Sequence, residues 1–154
     1  MKLLLLITKQ CHRNCRWCCN KFRNLEALPF CDSYENYEEI IITGGEPTLF
    51  SDQIVSLAKE IRKENNTASL TLYTTRTENL PQMGEVFDKI FFTIHNSHQI
   101  GDLLRVEKKF MKKVQILSFV EVSEIFPDVV NLHWDKTPFP IPGDEVFMRL
   151  PKLF

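Results

Sequence analysis

The residues of this chain best equipped for chemistry are four cysteines within nine positions, in Cys11-His12-Arg13-Asn14-Cys15-Arg16-Trp17-Cys18-Cys19. Cys11, Cys15 and Cys18 stand in a C-x3-C-x2-C spacing with the aromatic Trp17 just before the third. Three thiolates on one loop can ligate three irons of a [4Fe-4S] cube and leave the fourth iron open to a small molecule. An electron-carrying ferredoxin would close the site with a fourth cysteine. The same sulfurs admit another reading, a structural zinc site completed by Cys19, Cys31 or His12. The spacing by itself leaves both open.

The neighbouring elements say where these thiols sit. Leu3-Leu4-Leu5-Leu6-Ile7 is an unbroken apolar run, as a parallel strand buried on both faces would have. The cysteines follow it directly, at the C-terminal strand end where α/β sheets and barrels place their chemistry. A second run, Ile40-Ile41-Ile42-Thr43, ends in Gly44-Gly45-Glu46-Pro47. Glycines there let backbone approach closely, Glu46 brings a carboxylate and Pro47 stiffens the turn.

Taken together, the two features resemble the radical S-adenosylmethionine (SAM) superfamily, with C-x3-C-x-aromatic-C after the first strand and Gly-Gly-Glu after the second. The resemblance covers about the first third of the chain, at Cys11, Cys15, Trp17, Cys18, Gly44, Gly45, Glu46 and Pro47. It implies a [4Fe-4S] cluster on Cys11, Cys15 and Cys18, and SAM held at the open iron, with Glu46 facing its amino group. It also implies reductive cleavage of SAM to a 5′-deoxyadenosyl radical that abstracts hydrogen from a substrate. Trp17 would lie near the adenine or plug the cluster. Thr75, in Thr74-Thr75-Arg76, stands where many relatives have Thr-Asn-Gly, a departure from the family pattern. His95 and Asn96 close the fourth strand, where relatives often touch SAM. Glu121, Glu124 and His133 are further pocket candidates. A reducing partner of flavodoxin or ferredoxin type is expected. The substrate is expected to be a protein or other macromolecule, with a glycyl-radical activase and a small-molecule, deazapurine-type synthase as alternatives. A non-enzymatic zinc module is the remote one.

Further runs extend the pattern. Helices are expected over Cys19–Leu28, after an N-cap at Ser51, over Leu80–Asp88 and over Asp102–Lys113. Strands are expected over Leu70–Thr75, Ile90–Ile94, Val114–Val122 and Val129–Trp134. The fold is therefore expected to be α/β, a partial, open parallel βα barrel of five to six strands over residues 1–136, since a closed eight-stranded barrel needs about 250 residues. Residues 137–154, with Pro138, Pro140, Pro142 and Pro151, are expected as an irregular segment on the same domain.

Composition sets outer bounds. A formal net charge of −1 speaks against wholesale capture of nucleic acid. No run approaches a membrane span, and the apolar stretch after Met1-Lys2 is too short for a signal peptide. Five cysteines, four of them bunched, do not suit a secreted disulfide framework and read as cytoplasmic and reduced.

Overall fold

Seven strands in a single parallel sheet carry the molecule; the structure, a computed structural model, describes residues 1–15, 18, 21, 23–132 and 143–154. The strands are β1 (Lys2–Thr8), β2 (Glu39–Gly44), β3 (Ser69–Thr74), β4 (Lys89–Ile94), β5 (Val114–Ser118), β6 (Val130–Asn131) and β7 (Glu145–Arg149). Their order is β6-β5-β4-β3-β2-β1-β7, and every pairing is parallel. Helices α1 (Ser51–Glu64), α2 (Leu80–Val86) and α3 (His98–Leu104) follow β2, β3 and β4. This is an open parallel α/β sheet, the arrangement of a partial barrel.

The side-chain period of two divides each strand between two layers. Leu3, Leu5 and Ile7 of β1 join Ile40, Ile42, Leu70, Leu72, Ile90, Phe92 and Ile94 in the core under the helices. Leu6 packs on the opposite face with Leu25 and Phe147. Helix α1 presents Ile54, Leu57, Ala58 and Ile61 to the main core. Ile54, Leu57 and Ile61 contribute about 1.5–3 kcal/mol each when fully buried, and Ala58 less. Asp52 in its first turn and Arg62 and Lys63 in its last complement the helix dipole. Asn65 then stops it. Its Nδ2 donates to the carbonyls of Tyr34 and Tyr37, at 2.8 and 2.9 Å, and its Oδ1 accepts from the Ala68 N–H at 3.0 Å. One side chain thereby fastens the helix end to the entries of β2 and β3.

Several expectations need correction. Ser51 is the first helical residue and not the N-cap; its hydroxyl donates to the Thr48 carbonyl at 2.9 Å, inside a 3-10 turn over Pro47–Phe50. The helix expected over Asp102–Lys113 starts at His98, because the turn after β4 is closed at once by Asn96 Oδ1 accepting from the His98 N–H. It ends at Leu104, and a separate 3-10 turn, Lys108–Met111, completes the crossover. Strand β5 stops at Ser118, whose hydroxyl donates to the Val120 carbonyl and accepts from the Val120 N–H, turning the chain out of the sheet. The strand count is seven where five to six were expected. The tail is not irregular throughout, because Glu145–Arg149 pairs with β1 in register from Lys2↔Glu145 to Leu6↔Arg149. Pro138, Pro140, Pro142, His133 and Trp134 lie outside the described residues. Of the expected helix Cys19–Leu28, the described residues show Lys21 as helical, its N–H donating to the Cys18 carbonyl at 2.9 Å, and a 3-10 turn over Leu25–Ala27.

Candidate active site at the strand ends

Eight polar or charged residues are buried among the described residues, and six of them, Thr8, Glu46, Thr48, Thr74, Gln99 and Ser118, stand at or just beyond the C-terminal ends of strands. Burying polar groups costs free energy unless each is paired. Their concentration at one end of the sheet marks the site.

Glycine chemistry joins the first two loops. Gly44 has φ +112°, a conformation L side chains rarely adopt, and a Cβ on Gly45 would lie 1.9 Å from the Gln10 carbonyl oxygen. With no Cβ in the way, the Gly45 N–H donates to the Thr8 carbonyl at 2.8 Å and the Glu46 N–H to the Gln10 carbonyl at 2.7 Å. The turn after β2 is thus laid directly on the backbone that leads into Cys11. The close approach seen here is between two loops of the chain itself.

Glu46 is 1% exposed, and both carboxylate oxygens are engaged. Oε1 accepts from the Thr48 N–H at 3.1 Å and from the hydroxyls of Thr48 and Thr74, each at 2.7 Å. Oε2 accepts from the Thr75 N–H at 2.8 Å and the Thr75 hydroxyl at 2.9 Å. A carboxylate offers about four lone-pair sites. Five donors therefore leave Glu46 saturated by its own protein. A cationic amino group would have to displace one of these donors to bond it directly.

Cys11, Cys15 and Cys18 form no disulfide with one another, and each is half-buried. Burial pushes the thiols of Cys11 and Cys15 up. The Arg13 N–H, donating to Cys11 Sγ at 3.4 Å, works in the other direction on Cys11. The three feel one another: Cys18 acts on Cys11 and on Cys15, and Cys11 acts on Cys15. Glu46 also acts on Cys11, which places its carboxylate in the neighbourhood of the thiol loop. Among the described residues no three His, Cys, Asp or Glu side chains converge on a single-ion position. Three thiols on one loop are the donor set that a cube with one open corner would take.

The remaining sequence candidates separate. Pro47 is buried and opens the 3-10 turn. Thr75 lies in the network. His95 is half-buried, its ring 5.4 Å from that of Phe119, and burial first, then the Arg13 charge, push it down to about 4. Asn96 is exposed and spends its Oδ1 on the turn. Glu121 and Glu124 are exposed, and Glu121 accepts from the Ser123 N–H at 2.9 Å, so neither lines the network. Trp17, Cys19 and His133 lie outside the described residues. Cys31 is buried elsewhere, donating to the Ser33 carbonyl at 3.4 Å beside Tyr34 and Glu64.

Three members of the network had no sequence signal assigned to them. Thr48 completes Glu-Pro-Thr, a side-chain capping arrangement readable in hindsight from the spacing. Gln99 is 4% exposed; its Nε2 donates to the carbonyls of Thr75 and Thr93, at 3.0 and 3.3 Å, and its Oε1 accepts from the His95 N–H at 2.7 Å. A lone glutamine in a helix carries no spacing signature. Arg13 sends Nε to the Thr75 hydroxyl at 2.9 Å, across sixty-two positions of sequence.

No protein family and no curated protein matches the chain by sequence. Among solved structures it is similar to BtrN, a radical SAM enzyme, in the crystal structure with AdoMet and 2-DOIA. The TM-score is 0.59 at 19% identity, and the match covers 76% of this chain and 56% of BtrN. The chain thus spans little more than half the length of that protein. At this identity the likeness concerns the backbone alone: the chain shares an open parallel α/β fold with that protein.

Proposed function

We propose that this protein is a radical SAM enzyme, with a [4Fe-4S] cluster on Cys11, Cys15 and Cys18 and SAM bound beside it at the Gly44–Pro47 turn. The observation that carries the reading is the docking of that turn on the exit of β1, by the Gly45 and Glu46 N–H groups, immediately before the three half-buried thiols. The radical SAM-like fold supports it independently. When bound, the cluster would supply the electron that cleaves SAM to a 5′-deoxyadenosyl radical for hydrogen abstraction.

The chain's own residues have definable tasks. Each of the three thiols must give up its proton to ligate iron. Gly44 and Gly45 keep the second loop close to the first. Glu46 holds a negative charge at the strand ends and locks Thr48, Thr74 and Thr75 around it. Gln99 ties the β3 and β4 loops together, which fixes His95. The depressed pKa keeps that imidazole neutral at ordinary pH.

The reading extends to a protein or other macromolecular substrate and a flavodoxin- or ferredoxin-like electron donor. An open sheet with β6 and β7 at its edges, which suits a large substrate, supports the first. The test is anaerobic reconstitution with iron and sulfide, followed by dithionite and SAM. The expected result is absorption near about 400 nm, the region of cubane clusters, and formation of 5′-deoxyadenosine. Zinc at one equivalent, with no iron or sulfide retained and no such product, would overturn the reading.

A further inference from the structure

Arg13 provides a side-chain link between the cysteine loop and the Glu46 network. Arg13 lies between Cys11 and Cys15, and its N–H donates to Cys11 Sγ while its Nε donates to Thr75 Oγ. The Thr75 hydroxyl has one proton, which goes to Glu46 Oε2, so it accepts from Arg13 and donates to the carboxylate. The bonds therefore run in one direction, Arg13 to Thr75 to Glu46. A chain with a guanidinium at one end and a carboxylate at the other polarises the hydroxyl between them. The rest of Thr75 is also taken, its N–H by Glu46 and its carbonyl by Gln99.

We propose that Arg13 and Thr75 form a strut that positions the cysteine loop, and that Thr75 acts as a positioning residue and not as a cofactor ligand. This rests on the radical SAM reading for what the loop holds, but the strut is a property of the metal-free chain. Residues that orient metal ligands in this indirect way typically change metal retention by about ten- to a hundredfold when removed.

The experiment compares the wild type with Thr75→Val, Thr75→Ser, Arg13→Leu and the Arg13→Leu/Thr75→Val double variant. Arg13 is half-buried on a loop, so its variant folds even where Thr75→Val does not. Two quantities are read: amide hydrogen exchange over residues 9–15 in the metal-free protein, and the rate at which a chelator extracts iron after reconstitution. Thr75→Val and Arg13→Leu are each expected to speed exchange over 9–15 and to speed extraction about tenfold or more. Thr75→Ser, which keeps the hydroxyl, is expected to stay within about twofold of wild type. The double variant should be no worse than the worse single one, because both remove one shared link.

The strut is refuted if exchange over 9–15 is unchanged in both single variants, if Thr75→Ser behaves as Thr75→Val, or if the double variant shows the product of the single effects. Faster exchange without faster extraction refutes the positioning role. A wild type that takes up no cluster would sink the radical SAM reading, and the exchange comparison alone would then decide the strut.

Discussion

A wide groove on the surface and the most constrained corner of the molecule are different places. A groove of about 620 Å³ runs beside α1, between residues of the Cys31–Tyr34 segment and the tail from Leu150 to Phe154. Its charged rim is mostly acidic, with Asp32, Asp52, Glu60 and Glu64 against Lys152. Glu64 there accepts from the Ser33 hydroxyl and the Tyr34 N–H, which holds its carboxyl below the usual range. These are loop-fastening bonds at a wet surface. The ends of β1–β4 hold far more buried hydrogen bonding, five bonds of it converging on Glu46. Both regions hold thiols raised by burial. Cys31 has the Glu64 and Asp32 carboxylates for neighbours, whereas Cys11 and Cys15 have each other, Cys18 and Arg13, with Glu46 also acting on Cys11. Volume alone is a poor guide to chemistry. Buried polar groups brought to one place at a free-energy cost are a better one.

The contrast is sharpest at the thiols. Replacing Cys11, Cys15 or Cys18 by alanine should lower cluster retention at least about a hundredfold, since each loses a direct ligand. Cys31→Ala should leave it within about twofold, because Cys31 lies outside the loop. Iron and sulfide content after reconstitution reads both, and loss of the cluster in Cys31→Ala would erase the distinction drawn between the two regions.

Next in size is Gly45→Ala. A Cβ at 1.9 Å from the Gln10 oxygen must push the two loops apart, at a cost of about 1–3 kcal/mol or more. Gly84→Ala, whose Cβ would meet nothing within 4 Å, should instead stabilise by about 0.5–1 kcal/mol because the site is helical. Urea unfolding midpoints check the opposite signs.

Glu46→Gln puts an amide, itself a donor, among five donors. The expected loss is about 1–3 kcal/mol from groups left without acceptors. Glu64→Gln, at the wet rim of the groove, should lose less. Equal losses would mean that burial does not separate the two carboxylates.

The smallest effect concerns His95. Its folded pKa near 4 lies below the ordinary 6.5, so the unfolded chain binds more protons between these values. Its contribution to stability is complete above pH 6.5 and declines as pH falls toward 4. Unfolding midpoints across that window should fall more steeply in the wild type than in His95→Asn. Parallel slopes would show that the imidazole is not desolvated.

The first five strands were legible because parallel strands buried on both faces read as apolar runs, as in Leu3–Ile7 and Ile40–Ile42. Helix α1 was legible from its period of about 3.6 residues. Strand β7 was not, because Glu145-Val146-Phe147-Met148-Arg149 is short, charged at both ends and next to a proline-rich stretch. Pairing with β1 makes it a strand, and that pairing is non-local. The break after Leu104 was hidden for a similar reason, since the apolar period continues past the point where the helix ends.

Local chemistry alone determined the thiol loop, the glycine turn and their place after β1 and β2, because residue type and short spacing are properties of the chain before it folds. Tertiary structure decided what those residues touch: that Gly45 rests on Gln10, that Glu46 is saturated by three threonines, and that Arg13 reaches Thr75. Those contacts depend on the parallel register of β1, β2 and β3. A short sequence motif cannot encode that register, which is set when the sheet as a whole buries its apolar faces.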